Sequence, residues 1–229
     1  MLKKILVAYI LQIETATTNC SIAISYKGGT IALKEINNGY SHAENIHTFI
    51  KDILIENKLE YSDLTAVAVS KGPGSYTGLR IGVSTAKGLC FSLDIPLIAI
   101  ETLEVLAYQA KVTEGFIVSM IDARRMEAYT KVFTLDYKEY REIQAEILNE
   151  ESFKEMLAQN KVIFIGNKTE KTQEVIQHKN ASFIDTLPSA KEMSSLAYNK
   201  YKKNDIEDVA YFEPYYLKDF LVTPSKKKI

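Results

Sequence analysis

The sequence has no tryptophan, and only two cysteines, three histidines and five prolines in 229 residues. Cys20 and Cys90 cannot staple a fold, and neither stands in a C-x-x-C pair, so a disulfide framework, a zinc ribbon and a thioredoxin-like centre are set aside. Both are flanked by small or apolar residues and read as packed thiols in a reducing cytosol. An excess of either charge is also missing. The 28 basic and 29 acidic residues leave a formal charge of −1, which gives no long-range pull toward nucleic acid. A role with RNA would need a local patch or a partner. The one basic run, Lys226, Lys227 and Lys228, reads as a solvated end. Apolar runs are short, and none approaches the ~20 residues of a membrane span. The opening Met1-Leu-Lys-Lys and the apolar residues 5–11 look like the start of a signal peptide. Gln12 and Glu14 break that run, and a first buried strand accounts for the same residues.

What is present is an apolar fraction of 46% with 25% charged residues, ordinary for a folded chain. Residues 10–13, 21–26 and 30–36 read as strands, with Gly28-Gly29 as a hairpin turn, and predict a three-stranded antiparallel meander. Ile46, Phe49, Ile50, Ile53 and Leu54 recur at helical spacing and predict a helix over 42–57. A strand at 64–70, a glycine-rich loop at 71–78, a helix to 93 and a strand at 97–100 follow. Thr102 has the character of an N-cap for a helix through Ala110. The pattern then restarts, with strands at 116–121, 127–135 and 142–148, a helix at 151–159, a strand at 162–165 and helices at 168–177 and 190–202. The layout is that of a mixed α/β chain of two similar lobes, 1–110 and 111–229, joined near 111–115. After Asp208 the aromatic and proline residues predict an extended tail laid over the body.

Reactive constellations are scarce. His42 and His47 are five residues apart, which at ~100° per residue takes them off a common helix face. No H-x-x-x-H, H-E-x-x-H or G-x-S-x-G occurs, and neither cysteine has an evident imidazole partner, so no catalytic residue and no metal ligand is assigned. In the loop Gly72, Gly74 and Gly78 lie between a strand and a helix, with Ser75 or Thr77 as its cap. The spacing is neither G-x-G-x-x-G nor a P-loop, and it fits either a structural turn or an anion cradle of free N–H groups. On the following helix, Leu79, Val83, Ala86, Cys90 and Leu93 form a stripe at 4-3-4-3 spacing, with Ile81 and Leu89 off it. So wide an apolar arc is either buried on two sides or reserved for a partner.

The segment Gly72-Pro-Gly-Ser-Tyr-Thr-Gly-Leu-Arg-Ile-Gly resembles the signature of the TsaB family, formerly called YeaZ. Ile13-Glu-Thr-Ala-Thr-Thr-Asn-Cys-Ser-Ile-Ala, Ser41-His-Ala-Glu-Asn, Asp122-Ala-Arg-Arg-Met-Glu-Ala-Tyr and Glu213-Pro-Tyr-Tyr-Leu-Lys resemble its other motifs. The likeness is strong over residues 10–110 and weaker beyond. Many relatives carry Asp where this chain has Glu14.

The resemblance implies an actin-like ASKHA (ribonuclease H-like) fold of two similar lobes, each a mixed sheet flanked by helices. It also implies a non-catalytic cytoplasmic subunit supporting formation of threonylcarbamoyladenosine beside the anticodon of tRNA. The partners would be the catalytic paralogue TsaD, the ATPase TsaE, tRNA through the complex, and a second copy of the chain, with no membrane. No intrinsic cofactor is implied, while ATP or ADP and magnesium belong to the complex. Folds of this kind often hold nucleotide with hairpin loops, which here nominates Glu14, Thr15, Thr17, Gly72, Gly74, Ser75, Gly78 and Asp122 as nucleotide- or anion-binding residues. Such loops also occur as plain turns. The family docking surface would use Ile46, Phe49 and Ile50 on one helix and Leu79, Val83, Ala86 and Cys90 on the next. An independent ASKHA-type phosphotransferase or ATPase is the alternative.

Overall fold

The structure is a computed structural model that describes residues 8–39, 41–124 and 126–218. The meander forms as expected, from β1 (Tyr9–Glu14), β2 (Asn19–Tyr26) and β3 (Gly29–Asn37). Helix α1 (His42–Glu56), a 3-10 turn (Tyr61–Asp63), β4 (Leu64–Gly72), α2 (Tyr76–Leu93), β5 (Leu97–Glu101) and α3 (Thr102–Ala107) complete the first half. The sheet order is β3-β2-β1-β4-β5, with β4 and β5 parallel to β1.

The second half contains β6 (Phe116–Arg124), β7 (Glu127–Phe133), β8 (Glu139–Ile147), α4 (Lys154–Gln159), β9 (Val162–Gly166), α5 (Thr169–Val175), β10 (Ala181–Asp185) and α6 (Met193–Lys203). Its sheet reads β10-β9-β6-β7-β8, which is the first order repeated. Again three antiparallel strands are extended by two parallel ones. The fold is therefore the expected duplicated actin-like architecture.

Both faces of the first sheet are buried, so its central strands are apolar almost without alternation. Leu11, Ile13, Ile22, Ile24, Val67 and Val69 point to a core shared with α1 and α2. Ile10, Ala23, Ala66 and Ala68 point the other way, to Met193, Leu196 and Ala197 of α6. Residues 190–217, which lie in the second half of the sequence, thus return to the first sheet. Glu207 bridges to Leu97 at the free edge of β5. The Lys87 ammonium donates to the carbonyls of Ala210 and Phe212, and the Tyr215 amide donates to the Lys71 carbonyl at 2.7 Å. The aromatic tail is indeed laid over the body.

Several local expectations change: α3 ends at Ala107 and not at Ala110, β8 starts at Glu139 and not at 142, and α4 starts at Lys154 and not at 151. Thr102 is not the cap of α3: Glu101 holds that position without a side-chain cap bond, because helix follows strand with no intervening loop. Helix α6 starts at Met193 and not at 190, because Ser189 and Ala190 are engaged by Ser21 and Glu35 on the first sheet. Strand β10 is additional: Ala181–Asp185 is an edge segment with no fully buried residue, so it carries no apolar run to read.

Candidate functional site

The motif-bearing residues converge where the β1–β2 turn meets the start of α2. Leaving β1, the chain turns at residues 15–18 and presents carbonyls toward the glycine loop. The Ser75 amide donates to the Ala16 carbonyl at 2.7 Å, and the Thr15 hydroxyl donates to the Gly78 carbonyl at 2.8 Å. Ser75 is the cap of α2, and its hydroxyl accepts from the Gly78 amide at 3.3 Å. The Leu79 amide donates to the Ser75 carbonyl at 2.8 Å. A β-carbon on Gly74 would collide with Ala16, and one on Gly78 with the Thr15 carbonyl. Neither residue has a positive φ; the glycines are there for close approach. Only Gly72 sits at φ +112°, under the Tyr215 carbonyl of the tail.

Of the eight nominated anion-binding residues, Glu14, Thr15, Gly74, Ser75 and Gly78 lie in this contact. The amides of Ser75, Gly78 and Leu79 are spent on protein acceptors. Thr17 is held nearby, its carbonyl 2.7 Å from the His42 imidazole Nε2, and Gly72 is covered by the tail. Burial lowers the pKa of His42. Asp122 stands in the second lobe, where Lys168 and Lys171 hold its carboxylate at 3.1 and 3.3 Å. Its amide donates to the Asn167 side chain at 2.8 Å. None of these bonds joins it to the Glu14 turn.

Glu14 is the chemically unusual member. Its side chain is fully buried, and Oε1 accepts from the Ala16 amide at 2.6 Å and the Ser70 hydroxyl at 2.9 Å. Oε2 has no hydrogen-bond partner. Burial pushes the carboxyl up to about 7, and hydrogen bonding from the Ala16 backbone, the Ser70 hydroxyl and the Thr15 backbone only partly opposes it. Both thiols are buried, and burial pushes Cys20 up to about 11 and Cys90 to about 12. Among the described residues no group of three or more His, Cys, Asp or Glu side chains is arranged to hold a metal ion.

The docking residues named from sequence are corrected by burial. Ile46, Ile50, Leu79, Val83, Ala86 and Cys90 are all in the core under α1 and α2, and Phe49 is half-buried against it. The wide apolar arc is two-sided burial, not a free surface. Besides Thr77, Arg80 and Ser92, α2 exposes Ser84, Gly88 and Phe91, with Ile81 half-buried beside these three; Ile81, Ser84, Gly88 and Phe91 form one set. These four fall at i, i+3, i+7 and i+10, a single helix stripe. Phe91 is 85% exposed, and a β-carbon on Gly88 would meet no atom within 4 Å.

Sequence reasoning missed an ionic cluster between the lobes. Lys131 on β7, 8% exposed, pairs with Glu101 of β5 at 2.5 Å and Glu139 of β8 at 2.7 Å, and Lys71 pairs with Glu101 at 3.4 Å. A cavity of about 190 Å³ opens beside it, walled in part by Glu104 and Lys200. Burial works to lower the Lys131 pKa, but bonds to the two glutamates outweigh it and raise it. The one signal was a lysine set between Thr130 and Val132 in an otherwise inward-facing strand.

The model of the family described as "TsaD: tRNA N6-adenosine threonylcarbamoyltransferase" matches residues 37–224. The tRNA threonylcarbamoyladenosine biosynthesis protein TsaB of Bacillus subtilis is 31% identical over 91% of this chain and 93% of its own length. The protein of the same name from Escherichia coli is 28% identical over 92% and 94%. The solved structure of YeaZ from Pseudomonas aeruginosa superposes with a TM-score of 0.81 at 24% identity, covering 92% of this chain and all of that one.

Proposed function

This chain belongs to the TsaB family of tRNA threonylcarbamoyladenosine biosynthesis proteins, and from that premise we propose that it serves the pathway as a binding subunit without a reactive side chain of its own. The observation that carries this is the packing of the β1–β2 turn on the glycine loop, where the Ala16 carbonyl takes the Ser75 amide and the Thr15 hydroxyl binds the Gly78 carbonyl, while the Ser75 hydroxyl takes the Gly78 amide. With Asp122 neutralised by two lysines and both thiols buried, the chain's motif residues hold one another.

In this reading the partner is the catalytic TsaD paralogue, and the TsaE ATPase, tRNA, ATP or ADP and magnesium join through the complex. The docking face is the Ile81, Ser84, Gly88 and Phe91 stripe of α2. Its small residues let a second helix approach closely, and Phe91 supplies an exposed anchor. A second copy of the chain would use the same stripe when the paralogue is absent. The balanced net charge supports indirect contact with tRNA.

Purified chain, alone and with TsaD from the same organism, tests this by calorimetry and by modification of tRNA in the reconstituted complex. Gly88→Arg and Phe91→Asp should weaken association at least about tenfold, the equivalent of ~1.4 kcal/mol, and lower modification in step. Full association in both variants would remove the stripe. Nucleotide hydrolysis by the chain alone would favour an independent ASKHA-type ATPase.

A further inference from the structure

Three kinds of donor hold the β1–β2 turn down: the Ser75 amide on Ala16, the Thr15 hydroxyl on Gly78, and the His42 ring at the Thr17 carbonyl. Directly beneath it lies Glu14, whose Oε1 is satisfied twice and whose Oε2 faces protein with no partner. A buried neutral carboxyl tolerates one unmet oxygen at modest cost. A buried carboxylate does not, because half of its charge is then unsolvated. We propose that Glu14 is a proton-operated latch: with the proton on, the turn at residues 15–19 stays seated on the start of α2, and when the proton leaves to solvent the turn lifts so that water can reach Oε2.

The surroundings contain little that could replace water. From β2, Cys20 faces Glu14, and its own titration is raised partly by the glutamate's charge. From β4 comes the Ser70 hydroxyl, and the adjacent Lys71 is directed to Glu101. From α1, the His42 ring lies 2.7 Å from the Thr17 carbonyl, and from α2 the first turn offers Ser75 and glycines. Among the described residues no basic side chain pairs with Glu14, so proton loss has no local compensation. The displaced position of the carboxyl, near 7 when seated against 4.5 when solvated, sets the direction. Opening becomes easier as pH rises between those two values and stops changing above the higher one. The latch is thus tight in acid and loosest at neutral to alkaline pH, independent of any partner.

Hydrogen exchange of the 15–19 amides, referenced to the β9 amides at each pH, tests the latch between pH 5 and 8.5. Turn opening in the native sequence should rise by up to about tenfold per pH unit and flatten near neutrality. Glu14→Gln, which keeps the shape and cannot ionise, should remove the rise. Ser70→Ala removes a hydrogen bond to the charged form and should shift the plateau to higher pH, and it serves if the glutamine variant does not fold. The same pH-dependent opening in Glu14→Gln, or an unmoved plateau in Ser70→Ala, would overturn the proposal.

Discussion

The carbonyl of Ala16 lies 2.7 Å from the amide of Ser75, and this bond joins the first strand turn of the chain to the N-cap of its longest helix. Around it the glycines leave room for backbone against backbone, and that closeness explains both the loop's sequence and its sensitivity to change.

Adding side chains on the two sides of α2 should therefore give opposite results. Gly78→Val drives a β-carbon into the Thr15 carbonyl and should cost on the order of 1–3 kcal/mol in urea unfolding. Gly88→Ala meets open space and should stabilise by up to about 1 kcal/mol through helix propensity. Equal effects from both would show that the packing is incidental.

Charge placed under α2 should unfold the chain. Ala86 is fully buried between the helix and the sheet, so Ala86→Glu should remove several kcal/mol and lower the thermal midpoint sharply. Phe91→Asp, on the outer stripe, should stay within about 0.5 kcal/mol of the parent by the same measurement. An Ala86→Glu chain that melts normally would contradict the burial.

His42 should make stability depend on pH in the acid direction. Burial lowers its pKa in the fold, so the native state binds the proton less readily than the unfolded chain. Its contribution is complete above the ordinary histidine value near 6.5 and is lost as pH falls through the lowered value. In a Glu14→Gln background, which removes the opposing carboxyl, urea midpoints should decline on acidification below about pH 6.5, and adding His42→Gln should flatten that decline. The raised Glu14 carboxyl acts in the reverse sense: its contribution is full below 4.5 and lost as pH rises through about 7. An unchanged acid slope in His42→Gln would assign the effect elsewhere.

Lys131→Met should destabilise by about 1–3 kcal/mol. Breaking a fully buried pair costs more, but here Glu139 is 54% exposed and water screens the partner left behind. Double substitution of Lys131→Met with Glu101→Gln should recover part of the loss in thermal unfolding. No recovery would mean that the two do not couple.

Much of the fold was legible because its strands and helices announce themselves locally. The alternation in β2 and the helical stripe of Ile46, Ile50, Ile53 and Leu54 each locate an element from a dozen residues. The restart after residue 115 exposes the duplication. The faces were not legible. Val83 and Ala86 carry the same signature whether a helix covers a sheet or awaits a partner, and the long-range packing of β4 decides between them. The site was half legible: Glu14 and Gly78 were found as motif members, but that the turn packs on the glycine loop depends on contacts 63 residues apart, such as Thr15 to Gly78. The position of Lys131 hinted at burial, but its partners come from different strands and could not be read.

The return of α6 and the tail to the first sheet gives the chain an order of completion during synthesis. Asn19 donates to the carbonyl of Pro188, 169 residues later, and Ile10 and Ala23 are covered by Met193 and Ala197. The second sheet, contained within residues 116–185, can close as soon as it leaves the ribosome. The first, although made earlier, keeps one apolar face bare until Met193, Leu196 and Ala197 have been added, and a chain released at residue 187 should bind a hydrophobic dye that the full protein does not.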